Sequence, residues 1–200
     1  MTAPAPVPRR RVFHVHHRAY HFEDSQRGIL TAIRLLFGWI DLDCHVTGDG
    51  VLVITHWPRP MIHDGFVDPG PTENQPWPKV HPRTTVEELT WEQVSRLRTR
   101  RRHYRISRAD RLVPIATNRG LNVELEMKSL AITSAQLVAL RTALGTDADR
   151  VQVKALPQFV EGLEAAHDAD YLTLVLSHGH AIPKDAQEYI NYHRGPVHWI

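Results

Sequence analysis

The sequence predicts an α/β fold, a TIM-like (β/α) barrel with six or seven strands that stops short at its C-terminal end. Apolar residues switch repeatedly between a period of two and helical spacing, so strands and helices alternate along most of the chain. No glycine-rich phosphate turn follows the first strand, which puts a barrel ahead of a doubly wound sheet. A closed eight-stranded barrel takes about 250 residues. This chain has 200 and spends part of them on a proline-rich segment, so one or two βα units are expected to be missing and the barrel to be open, closed by a partner or truncated.

Val12 to His17 reads as the first strand. Glu23 to Leu36 carries Ile29, Leu30, Ile33 and Leu36 at helical spacing, with Ser25 as the N-cap. Trp39 to Trp57 then reads as a strand, a Gly-Asp-Gly turn and a returning strand. Asp41 and Asp43 share one strand face, while Ile40, Leu42, Cys44 and Val46 take the other. Like charges two residues apart call for a cation between them or a retained proton. If Gly48-Asp49 form the loop, Asp41 falls opposite His56; one residue on, Asp43 does. Either register sets an imidazole beside the acidic pair, as a metal-assisted acid/base site requires.

Residues 58–82 hold seven prolines, which argues against regular helix or strand interiors there. A long loop leaving directly from His56 is read as a lid or substrate wall. A helix is expected over Glu87 to Arg98, opened by Thr84 or Thr85. Another is expected over Ser107 to Arg119, shortened or kinked by Pro114 and stopped by Gly120. Leu121 to Lys128 alternates cleanly, with Val123, Leu125 and Met127 toward the helices and Glu124, Glu126 and Lys128 inward. Further on come a helix from Ser134 to Leu144, a strand from Val151 to Leu156 and a helix from Pro157 to His167. A strand from Tyr171 to Ser177, a helix from Lys184 to His193 and a strand from Pro196 to Ile200 complete the chain. Residues 12–200 are thus expected to form one domain behind a disordered Pro/Arg arm, residues 1–11.

Apolar content of 42%, charged content of 23% and a net charge of +2 are ordinary for a globular chain and name no partner. Eight arginines crowd positions 96–111, which reads first as a solvated helix face. Tyr104 is the one aromatic among them, which weighs against single-stranded nucleic acid. Cys44 is the only cysteine, so no intrachain disulfide exists, and its apolar strand neighbours suggest a buried thiol. Residues 1–11 lack the apolar segment of a signal peptide, and no apolar run approaches membrane-spanning length. The expected location is the cytoplasm.

Taken together, these segments resemble the glycerophosphodiester phosphodiesterase family, a family of TIM-barrel enzymes. His17-Arg18-Ala19 is similar to its strand-one H-R-G, and Glu23-Asp24-Ser25 to its E-N-T. Asp41-Leu42-Asp43-Cys44 resembles E-L-D-V, and Thr47-Gly48-Asp49-Gly50 the T-K-D-G turn. Val53-Ile54-Thr55-His56-Trp57 resembles V-V-x-H-D, and Gly120 to Lys128 the glycine-opened strand ending in E-x-K. The likeness covers residues 12–128 and fades after Leu156. Asp41 stands where the family has Glu, Ala19 where it has Gly, and Trp57 where it has Asp.

The resemblance implies a metal-dependent phosphodiesterase that cleaves glycerophosphodiesters to an alcohol and glycerol phosphate, in some cases through a cyclic phosphate. It implies His17 and His56 as the acid/base pair, and Arg18 and Lys128 on the substrate phosphate. Asp41, Asp43 and Glu126 would hold a divalent cation, Mg²⁺ or Ca²⁺, whose preference is for oxygen ligands. The register of the third strand leaves Glu124 as an alternative ligand, though the E-x-K spacing points to Glu126. The implied partner is a small-molecule diester, and an open barrel leaves room for a second copy to close it. A second reading is a catalytically inactive barrel relic that serves as a binding or assembly module.

Overall fold

A computed structural model describes residues 12–14, 25–71, 78–100, 103–159, 162–177 and 197–199. In chain order these form β1 (Val12–His14), α1 (Gln26–Arg34), β2 (Trp39–Val46), β3 (Leu52–Ile54), α2 (Pro60–His63) and β4 (Phe66–Val67). Next come α3 (Trp91–Arg96), β5 (Arg98–Thr99), β6 (Ser107–Arg108), α4 (Ala109–Thr117), β7 (Asn122–Met127) and α5 (Ser134–Leu144). The described chain ends with β8 (Val151–Ala155), α6 (Gly162–Asp168), β9 (Leu172–Ser177) and β10 (Val197–Trp199).

Strands β10, β9, β8, β7 and β2 lie side by side and parallel. The other edge of β2 is shared. Its first half pairs in parallel with β1 through Val12↔Trp39 and His14↔Asp41, and its second half pairs with the returning β3. Among the described residues no pairing joins β10 to β1. The described strands thus form a partial TIM-like barrel that does not close among the described residues. The helix expected over Lys184 to His193, and the 1–11 arm, lie outside the described residues.

Alternation decides what each strand buries. Ile40, Leu42, Cys44 and Val46 of β2 join Val123, Leu125 and Met127 of β7 in the main core, with Ile29, Leu112, Leu137 and Leu163 from the covering helices. Ser25 caps α1 as expected, its hydroxyl accepting from the Gly28 N–H at 3.2 Å. Pro114 lies inside α4, which is confined to nine residues, and Gly120 follows with φ +81°. The cap of α5 is Thr133 rather than Ser134, paired reciprocally with Gln136.

Three expectations are corrected. The hairpin takes neither proposed register: Cys44 pairs Ile54 and Val46 pairs Leu52, leaving a three-residue Gly48-Asp49-Gly50 loop. Thr47 closes it, donating to Val51 O at 2.9 Å and accepting from Gly50 N at 2.8 Å, while Gly50 takes φ +85°. Gly48 is required by proximity, since a Cβ there would lie 2.8 Å from Glu87 O.

The single helix over Glu87 to Arg98 is two pieces, a 3₁₀ turn at Val86–Glu88 and α3. Two successive capping boxes, Thr85 with Glu88 and Thr90 with Gln93, restart the chain there. The proline-rich segment does contain short regular structure. Pro60 opens α2 at a position where its missing N–H costs nothing, and β4 pairs β5.

The segment from Phe66 to Leu97 builds a second apolar cluster from Phe66, Val80, Val86, Leu89, Val94 and Leu97, closed by Val53 and Ile106. Asp68 pins it. Its carboxylate accepts from Gly70 N at 2.9 Å, Val80 N at 2.8 Å and the Arg96 guanidinium at 3.2 Å. Arg96 is 3% exposed and Asp68 4%, so the arginine run is not one solvated helix face. Removing one partner of such a pair strands the other charge in the interior. Arg96→Met is expected to cost about 3–5 kcal/mol in urea unfolding. A loss under about 1 kcal/mol would mean that the pair holds nothing together.

Candidate metal and phosphate site

The inward faces of β2, β7 and β8 carry the chemistry. Parallel pairing sets Asp41 across from Glu124 and Asp43 across from Glu126, and the next strand adds Gln152 and Lys154 in the same two rows. Asp41 and Asp43 are wholly buried, and Glu124 and Glu126 are each 6% exposed. One oxygen from each of Asp41, Asp43 and Glu126 lies within 4.8 Å of the others. Glu124 also points inward, but its partner is a lysine.

Two ammonium groups hold these acids together. Lys128 Nζ binds Glu126 and lies 3.2 Å from Asp43 Oδ1. Burial works against its charge, yet Asp43 and Glu126 outweigh burial and keep its pKa above the ordinary lysine value. Lys154 Nζ lies 2.9 Å from Asp41 Oδ1, 3.3 Å from Glu124 Oε2 and 3.5 Å from Glu126 Oε2. Lys154 is 2% exposed, and burial again opposes the charge. Asp41, Glu126 and Glu124 reverse that effect and push its pKa up strongly. Both lysines are therefore cationic at neutral pH.

His56 follows β3, and its Nδ1 donates to Asp43 Oδ2 at 2.9 Å. That bond selects the tautomer with its acceptor lone pair on Nε2. Trp57 packs edge-on against His56, with centroids 4.7 Å apart, and His63 of α2 stacks on Trp57 at 4.8 Å. So His56 does stand beside the acidic pair, although the hairpin register differs from both expected ones. His17 and Arg18 lie outside the described residues.

Sequence reasoning missed Lys154. The signal was present, because Val151-Gln152-Val153-Lys154 alternates as clearly as Val123-Glu124-Leu125-Glu126. It also missed His45, the next inward residue of β2, which is 1% exposed and donates through Nδ1 to Glu87 Oε1 at 2.7 Å.

The donor set fits a hard divalent cation. Four carboxylates and two ammonium groups leave two negative charges, which one divalent ion neutralises. Asp41, Asp43 and Glu126 are the converging oxygens.

No family model and no curated protein match the sequence. Solved structures do match in fold. A candidate glycerophosphodiester phosphodiesterase from Galdieria sulphuraria shares 19% identity, with TM-score 0.68 over 93% of this chain and 72% of its own. A phosphodiesterase from Oleispira antarctica, solved with its product sn-glycerol-3-phosphate, shares 13% identity, with TM-score 0.64 over 94% and 73%. A glycerophosphodiester phosphodiesterase from Agrobacterium tumefaciens shares 15% identity, with TM-score 0.52 over 94% of both chains. At these identities the likeness establishes the fold. Among the described residues no helix is long and apolar enough to cross a membrane.

Glu87 gives the site's border a pH signature. Burial raises its pKa, but the His45 hydrogen bond and charge prevail and hold it below the ordinary 4.5. A group depressed in the folded state contributes stability above its unfolded pKa and loses it as pH falls through the folded value. The stability gap between wild type and Glu87→Gln should be full above about pH 5 and should close on acidification below 4.5. A gap that widened in acid would reverse the assignment.

Proposed function

We propose that the chain is a glycerophosphodiester phosphodiesterase, dependent on a divalent cation, that releases an alcohol and glycerol phosphate. The observation that carries this reading is the convergence of Asp41, Asp43 and Glu126 with His56 and Lys128, the last two lying just past the C-terminal ends of β3 and β7. The fold is shared with a glycerophosphodiester phosphodiesterase and with a phosphodiesterase bound to its product sn-glycerol-3-phosphate, which supports the reading.

In this reading Asp41, Asp43 and Glu126 would hold Mg²⁺ or Ca²⁺, which would supply positive charge for the phosphoryl oxygens. Lys128, with Arg18, adds fixed cationic donors for the charge that grows there in the transition state. His56, oriented by Asp43, offers Nε2 for proton transfer, and His17 is its acid/base counterpart. The described part of the proline-rich segment, residues 58–71 and 78–82, follows His56 and Trp57 directly and is read as the substrate wall. The cytoplasm is the proposed location.

Turnover of a glycerophosphodiester panel, with and without EDTA, tests the proposal. Wild type should cleave at least one diester and lose that activity in EDTA. His56→Ala should lower the rate by on the order of 10²–10⁴-fold while cation binding by calorimetry stays nearly unchanged. Asp43→Asn should lose both together. The open barrel favours one competing reading, a relic that binds without catalysis. A wild-type chain that takes up the cation yet cleaves nothing between about pH 5 and 9 would establish that relic.

A further inference from the structure

Lys154 has no assigned role in the reaction above, yet it is among the most enclosed charges in the molecule. Its ammonium forms ion pairs with three of the four carboxylates, at 2.9 Å, 3.3 Å and 3.5 Å. It reaches Asp41, a proposed ligand, more closely than it reaches Glu124, which is not one. Lys128 does not duplicate it, because Lys128 binds the opposite side of the cluster through Asp43 and Glu126.

Cross-strand geometry explains the need. Asp41 faces Glu124 and Asp43 faces Glu126, so two like-charged pairs occupy adjacent rows. Such a layer comes apart unless cations cross-link it, and Lys154 spans both rows from the third strand. From these contacts we infer that Lys154 is a built-in counter-ion. It keeps the acidic layer assembled in the absence of metal and lowers the site's affinity for divalent cations by engaging Asp41. The inference rests on the cation-binding part of the proposed function but not on turnover.

Charge counting makes it testable. Wild type carries four carboxylates against two lysines, a residual of −2. Lys154→Met leaves −3, and Glu124→Gln with Lys154→Met restores −2 without the lysine. Affinity of oxygen-ligand sites rises with ligand charge. Calorimetry with Mg²⁺ and Ca²⁺ should show Lys154→Met binding roughly tenfold tighter than wild type, with the double variant returning toward it. Melting in EDTA should be lowered in Lys154→Met and recovered by the cation by a wider margin than in wild type. Lys154→Arg, which keeps the charge, should melt in EDTA close to wild type.

Unchanged or weaker cation binding by a folded Lys154→Met, with wild type binding normally, overturns the inference and leaves the proposed function standing. If Lys154→Met fails to fold even with cation, the double variant decides. Its folding with near-wild-type affinity upholds the counter-ion role, and its failure assigns Lys154 to packing. Absence of cation binding in wild type and every variant overturns both readings at once. Turnover without cation binding by any of them would leave a phosphodiesterase without this site.

Discussion

Two acids on β2 stand directly across from two acids on β7, and the rest of the site is arranged around that opposition. Parallel pairing fixes the rows, and alternation turns all four carboxylates to the inside. In an ordinary sheet interior this arrangement would be strongly unfavourable, because each unpaired buried charge costs several kcal/mol. Here it persists because two lysines enter from different places, one past the end of β7 and one from β8. The two negative charges they leave are, in the proposed reading, the electrostatic reason for a divalent cation to enter.

The same opposition sets the geometry of the reacting groups. Asp43 sits between the ammonium of Lys128 and the imidazole of His56, so in the proposed reaction one side chain would serve both cation binding and proton transfer. Its backbone is fixed on both edges, by Glu126 through the β7 ladder and by the Thr55 N–H at 2.9 Å. A carboxylate with so little rotational freedom is preorganised, which is how such sites avoid reorganisation during reaction.

Much of this was legible in the sequence, because period-two alternation is a backbone property that tertiary context rarely overrides. Asp41, Asp43, Glu124, Glu126 and Lys128 were placed on inner faces that way, as were the core faces of β2 and β7, while the choice of Glu126 over Glu124 rested on the E-x-K resemblance. Lys154 passed unnoticed for want of a partner to read it against; its meaning comes from neighbours 28 and 113 positions away, Glu126 and Asp41. The hairpin register was misjudged because the T-G-D-G turn permits two- and three-residue loops, and the choice was made by Gly48 packing against Glu87 and Leu89. Helix length after residue 84 was overestimated for a related reason. Two capping boxes five residues apart compete with continuation, and apolar spacing alone does not register them. The arginine run misled by density, since burial of Arg96 depends on Asp68, well outside it.

One consequence follows from the placement of β3. Its residues belong to different interiors: Leu52 and Ile54 pack in the main core, and Val53 packs with Phe66, Val94 and Leu97 in the second. A strand only three residues long thus serves as a party wall, and His56 hangs from its end. Protein interiors are close-packed and transmit volume changes, so drift at Phe66 or Val94 reaches Val53, three residues before His56. A substitution in the second cluster would therefore be felt at His56 without touching the acidic layer.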